Sequence, residues 1–164
     1  MDINGFIIMG VAGCGKTTVA RLLAEKLQWD FLDADDFHPS ANIAKMEAGI
    51  PLNDSDRAPW LAALNEMLVS TLRAERHPLL ACSALKEIHR TKLRQGTDGL
   101  QFVHLKGSYD LIWSRISKRQ GHYMKPEMLR SQFEVLEEPS DALAVDVRLR
   151  PEKIVEKIIR TFQP

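Results

Sequence analysis

Gly10-Val11-Ala12-Gly13-Cys14-Gly15-Lys16-Thr17 matches the pattern G-x-x-x-x-G-K-[ST] without a gap. Glycines in such a stretch let the backbone wrap tightly and turn successive N–H groups towards phosphate oxygens. A helix opening directly behind it adds free N–H groups and the positive end of its dipole. Lys16 can place a compact charge on the β- and γ-phosphates, and the Thr17 hydroxyl can coordinate Mg²⁺. The eight residues together predict a site for ATP with Mg²⁺.

The flanks agree with that reading. Phe6-Ile7-Ile8-Met9 is an apolar run of strand length, and Val19, Leu22, Leu23 and Leu27 recur at helical spacing after Lys16. Further outward, apolar runs alternate with helical patterns. Strands are predicted at Trp29–Leu32, Pro78–Ser83, Leu100–Leu105 and Leu143–Val147. Helices are predicted at Asp56–Arg76, with Pro59 in the first turn, and at Leu85–Gln95, Tyr109–Arg119 and Pro151–Phe162. This alternation predicts one α/β domain over residues 1–164, a parallel β-sheet flanked by helices. Two segments break the rhythm. Residues 36–54 are rich in Pro, Asn, Gly and Asp and carry only a short helical stretch near Asn42–Ala48, while 119–139 is a polar, partly helical insertion. Ligands of an open parallel sheet sit beyond the carboxyl ends of its strands, so the first is expected to form a substrate flap and the second a mobile lid.

Composition narrows the class. The 164 residues hold 22 Lys plus Arg against 22 Asp plus Glu, and a neutral chain is a poor sequence-independent nucleic-acid binder. Two cysteines, Cys14 and Cys82, do not make a secreted disulfide framework. There is neither a basic, apolar leader at the start nor an apolar run long enough to cross a membrane, so the expected setting is the cytoplasm.

Phe31-Leu32-Asp33-Ala34-Asp35 places two carboxylates at alternate positions as the second strand ends, which would point both towards the phosphate loop if the two strands were neighbours. Transfer of a phosphoryl group to an alcohol needs a carboxylate near the metal and another that orients or deprotonates the hydroxyl. Asp33 is assigned with Thr17 to the metal and Asp35 to the hydroxyl. Cys14 lies where a helix N-terminus lowers a thiol pKa, although a small filler suits the position better.

With these residues in place, the chain resembles the gluconate kinase family of P-loop kinases. The resemblance rests on G-V-A-G-C-G-K-T at 10–17, F-L-D-A-D-D-F-H-P at 31–39, P-L-N-D-S-D-R-A-P-W-L at 51–61 and C-S-A-L-K at 82–86. Q-G-H-Y-M at 120–124 and S-Q-F-E-V-L-E-E-P at 131–139 look like the family's lid. The first motif is common to many nucleotide enzymes; the third and fourth are far more particular. Cys14 departs from the family, which often carries serine there. The resemblance implies a fold similar to nucleoside monophosphate and shikimate kinases, transfer of the ATP γ-phosphoryl group to the 6-hydroxyl of D-gluconate, and a homodimer.

Gluconate carries one carboxylate and five hydroxyls, so its pocket needs a cation and several hydrogen-bonding groups. Arg57, behind the acidic turn Asn53-Asp54-Ser55-Asp56, offers a fork that matches a carboxylate, unless Asp54 or Asp56 pairs with it on the surface. Lys86 and Arg90 lie four apart on one helix face behind the third strand, and both join Asp35, His38 and Arg57 as candidate substrate contacts. Trp60 is expected in the core or the pocket wall. Among the basic residues Arg115, Lys118, Arg119 and His122, Arg119 is the expected lid cation for the transferring phosphoryl group, and Arg115 flanks the adenine. Pro151 is expected on the other adenine face, as in related kinases. Catalysis is thereby assigned to Lys16, Asp35 and Arg119. The rivals are a P-loop kinase of another small metabolite, such as shikimate, another sugar acid or a nucleoside, and a nucleotide-dependent regulatory ATPase.

Overall fold

The computed structural model describes residues 2–119 and 125–164. Five strands form one sheet: β1 (Gly5–Met9), β2 (Asp30–Asp33), β3 (Pro78–Ala81), β4 (Leu100–Lys106) and β5 (Leu143–Asp146). They run in the order β2-β3-β1-β4-β5, and each neighbouring pair is parallel. Among the described residues seven helices surround the sheet: α1 (Lys16–Leu27), α2 (Ser40–Glu47), α3 (Asp54–Arg73), α4 (Glu87–Arg94), α5 (Tyr109–Ser117), α6 (Pro126–Val135) and α7 (Pro151–Phe162). A 3₁₀ turn, Ala34–Phe37, follows β2.

Alternate side chains of the strands feed two cores, because successive residues of a strand point to opposite faces. Phe6, Ile8, Leu79, Ala81, Val103 and Leu105 bury one face under α1 and α7, through Val19, Leu23, Ile154 and Ile158. Ile7, Met9, Leu80, Cys82 and Phe102 bury the other against Trp60, Leu64, Leu68 and Leu93 of α3 and α4. The central strand is therefore apolar at every position from Phe6 to Met9, all of them fully buried. Asn53 starts α3 by accepting from the Asp56 N–H at 2.8 Å while Asp56 accepts from the Asn53 N–H at 3.0 Å, a reciprocal cap that satisfies two free donors.

The sheet order decides a condition that the sequence left open: β2 does not adjoin β1, since β3 lies between them. Nor does Asp35 extend the strand. The Asp33 carboxylate accepts from the Asp35 N–H at 3.0 Å and bends the chain into the 3₁₀ turn, as a short acidic side chain at a cap does. Within the lid segment, α6 was expected only as partial helix; it spans ten residues and buries Leu129. Residues 120–124, including His122, lie outside the described residues.

Candidate active site

The phosphate loop leaves the carboxyl end of β1 at the centre of the sheet, from which the chain builds β2 and β3 on one side and β4 and β5 on the other. Such a reversal opens a crevice at the strand ends. Gly13 (φ 76°) and Gly15 (φ 99°) sit in the left-handed region, which an L side chain rarely adopts, and a Cβ on Gly13 would strike the Ile116 side chain. Gly10 is crowded by the Cys14 sulfur, with 2.7 Å between that atom and a notional Cβ.

Cys14 is thus the filler beneath the loop. Burial, the largest influence, raises its thiol pKa against the lowering effects of Lys16, backbone hydrogen bonds and Arg115, so burial outweighs the lowering that a helix N-terminus brings. Cys82 is likewise buried, and its thiol is pushed up to about 12. Ellman's reagent at pH 8 should leave both thiols of the native chain unreacted over minutes and count two after unfolding in urea. A rapidly reacting native thiol would contradict this packing.

Lys16 donates from Nζ to the Val11 carbonyl at 2.9 Å, so the cation is held over its own loop. Thr17 Oγ1, in the first turn of α1, donates to Asp33 Oδ2 at 3.2 Å, even though β2 is not adjacent to the strand that leads into the loop. The pair offers two accessible hard oxygens of the kind Mg²⁺ prefers, so the residues fit the metal that a nucleotide would bring. Asp35 stands at the turn beside them. Desolvation first, and then the Asp33 charge, raise its carboxyl above the ordinary value, outweighing Lys16 and His38.

A second polar group faces the start of α3. Trp60 is buried, donates to the Ala34 carbonyl at 2.7 Å and stacks on His38 at 4.3 Å between ring centroids. Burial lowers the His38 pKa, as does Arg57, against the raising effect of Asp35. Both acids expected as surface partners of Arg57 are held by other cations: Lys45 donates to both Asp56 oxygens at 2.9 Å, and Lys86 to both Asp54 oxygens at 3.1 and 3.2 Å. Among the described residues, the half-buried Arg57 guanidinium has no hydrogen bond or ion pair.

Arg90, expected to face substrate, has a different place. It is 1% exposed and donates to the Ala84, Leu85 and Glu137 carbonyls at 2.8, 3.1 and 2.8 Å, with two further bonds to Glu87 Oε2. The guanidinium ties α4 to the segment behind α6. Arg90→Ala would orphan those carbonyls and open a cavity, so a loss of about 3 kcal/mol in urea-derived stability is expected. An unchanged midpoint would refute that structural task.

The nucleotide-side candidates are more dispersed. Arg115 lies half-buried on α5, close enough to lower the Cys14 thiol, and Pro151 is the first residue of α7. Arg119 is exposed just past α5. Two polar residues near the site had escaped the sequence reading. Gln132 of α6 accepts from the Ala12 N–H at 2.7 Å, anchoring that helix on the phosphate loop across 120 positions of chain. His89, in the first turn of α4, is buried beside Asp54 and Lys86; a histidine three residues behind Lys86 was the only local sign of it.

Comparison with known proteins decides the family. The chain is 44% identical to the thermoresistant gluconokinase of Escherichia coli K12 over 166 residues, covering 99% of this chain and 95% of that one. This chain belongs to the gluconokinase family. A gluconokinase structure from Sinorhizobium meliloti superposes with a TM-score of 0.88 at 40% identity, over 99% of this chain and 94% of its own. The shikimate kinase family model matches residues 12–163 of this chain. An APS kinase of Mycobacterium tuberculosis, solved with AMPPNP and APS, shares the fold alone, with a TM-score of 0.73 at 20% identity over 99% of this chain and 98% of that one. The P-loop kinase fold expected from the motif is thus the observed one. No helix among the described residues is long and apolar enough to cross a membrane.

Proposed function

We propose that this chain catalyses transfer of the ATP γ-phosphoryl group to the 6-hydroxyl of D-gluconate, giving 6-phospho-D-gluconate and ADP. The observation that carries the substrate class is Arg57: a half-buried guanidinium with no hydrogen bond or ion pair among the described residues, close enough to His38 to be felt by its ring, as Asp35 is. Its charge and planar fork suit the carboxylate of a sugar acid, and Lys86 adds a second cation close by.

In this reading residues 10–17 cradle the triphosphate, and Lys16 moves from the Val11 carbonyl to the β- and γ-oxygens. Thr17 and, through water, Asp33 would hold Mg²⁺, whose charge offsets that of the phosphates. Asp35 accepts the proton of the attacking hydroxyl, its raised pKa making it a better acceptor than an ordinary surface carboxylate. His38 and Trp60 wall the pocket, and Arg115 and Pro151 flank the adenine. Arg119 reaches the transferring phosphoryl group as the lid closes and water is excluded, since a wet site would hydrolyse ATP. Arg90 has no part in binding here, because its donors are spent within the fold.

The test is ADP release with Mg·ATP against D-gluconate, other hexonates, shikimate, nucleosides and no acceptor. Release only with gluconate, and phosphate on the 6-hydroxyl of the product, is expected. Activity with a different acceptor would retain the phosphate loop and overturn the pocket. A cytoplasmic setting and a homodimer belong to the same reading; light scattering of the purified chain reads the second directly.

A further inference from the structure

We infer that His89 is a substrate-binding residue, whose neutral Nε2–H joins Lys86 in holding the carboxylate of the sugar acid. The inference rests on the gluconate reading above and adds to it a hydrogen-bond donor of a specified atom.

The tautomer follows from the local network. His89 Nδ1 lies 3.3 Å from the Lys86 backbone N–H, which can only donate. Nδ1 is therefore the acceptor, and a neutral ring carries its proton on Nε2. The side chain is only 4% exposed, yet Nε2 has no hydrogen-bond partner among the described residues. A buried donor without an acceptor is costly, and native structures keep few of them. A core histidine serving only to cap α4 would need Nδ1 alone and would leave the other nitrogen unexplained.

The surroundings specify the missing acceptor. The nearest carboxylate oxygen, Asp54 Oδ1, is 3.6 Å from Nε2, too long for a hydrogen bond. That same carboxylate is bonded to Lys86 Nζ through both oxygens, while its own side chain is 59% exposed. An exposed acid thus already lies across Lys86, with one oxygen just short of His89. It marks the pose that a better-placed carboxylate would take. Arg57 stands near enough to be felt by the ring: burial is the largest cause lowering the His89 pKa and Arg57 is the next, with the Asp54 carboxylate, close but beyond hydrogen-bond length, acting against them. A neutral N–H donor between two cations matches an acceptor-only carboxylate and needs no titration near neutral pH.

Two variants separate this role from a structural one. His89→Asn keeps an acceptor for the Lys86 N–H but has no donor reaching as far as Nε2; His89→Gln restores a donor at that reach. The expected result is a gluconate KM raised about 10- to 100-fold in His89→Asn, with the ATP KM and thermal midpoint near wild type and substantial recovery in His89→Gln. A gluconate KM within twofold of wild type overturns the assignment. Should His89→Asn not fold, the ¹⁵N resonance of Nε2 in the wild-type chain decides: saturating gluconate moves it if the bond forms, and an unmoved resonance overturns the proposal. Failure of the wild-type chain to phosphorylate gluconate would instead overturn the proposed function, which is a separate result.

Discussion

Lys16→Ala is expected to lower turnover by about 10³-fold or more, equivalent to about 4 kcal/mol of transition-state stabilisation. The magnitude follows from where the charge sits. Phosphoryl transfer asks little covalent chemistry of the protein, so positioning and charge on the phosphate oxygens carry most of the catalysis. Among the described residues Lys16 has no carboxylate partner and makes one bond, to the Val11 carbonyl at 2.9 Å. Its loss therefore disturbs little of the fold, and the thermal midpoint should stay close to wild type. Lys16→Arg should not rescue, because a planar fork cannot occupy the space of a point charge over a tightly wrapped loop. Steady-state ADP release measures both variants. Near-normal turnover of Lys16→Ala would sink the assignment of residues 10–17.

Asp35→Asn should cost about 10²- to 10⁴-fold in kcat while ATP still binds, which separates loss of a proton acceptor from loss of the nucleotide site. The pH profile gives an independent reading. A base works deprotonated, so turnover is full above its pKa and lost below it. Desolvation and Asp33 raise that pKa, moving the acid limb of the wild-type profile above the ordinary carboxylate range near 3.8. Stability runs in the opposite sense. Because the folded-state pKa is raised, the unfolded chain releases this proton first, and stability falls as pH rises between the unfolded and folded values. At neutral pH the ionised carboxylate then costs the fold a little, although the exposure of Asp35 to solvent screens most of that cost, so Asp35→Asn should keep or slightly raise the thermal midpoint while lowering turnover. Such an opposition marks a site kept for function. A variant that turns over normally removes Asp35 from the mechanism; one that melts earlier refutes the account of its surroundings.

The parts of this protein that sequence reading located are those whose causes are local. Gly13 and Gly15 are demanded by backbone angles within the loop, Lys16 and Thr17 by the helix that starts there, and the strand runs by burial on both faces of the sheet. Asp33 belongs partly to this group, since its cap on Asp35 spans two residues. The alternation that placed both acids on one strand face failed for the same reason: the cap turned the chain before a second strand position could form.

The two arginines show where local reasoning ends. Arg57 and Arg90 each lie in the first turn or so of a helix behind an acidic residue, and nothing in the chain separates them. Arg90 is an internal tie because Glu137, 47 positions away, brings its carbonyl to the guanidinium. Arg57 stays open because Lys45 and Lys86 take the acids beside it, contacts that span 11 and 32 positions. Sheet order, the Gln132 bond to Ala12 and the missing acceptor at His89 are decided in the same way. By itself the sequence determined the phosphate loop, the alternating strands and helices, and the kinase family; short-range backbone geometry and burial periodicity carry all three. Which cation faces substrate and which one holds the fold together was left to the tertiary structure, because that depends on which distant carbonyls and carboxylates the folded chain brings within about 3 Å of each donor.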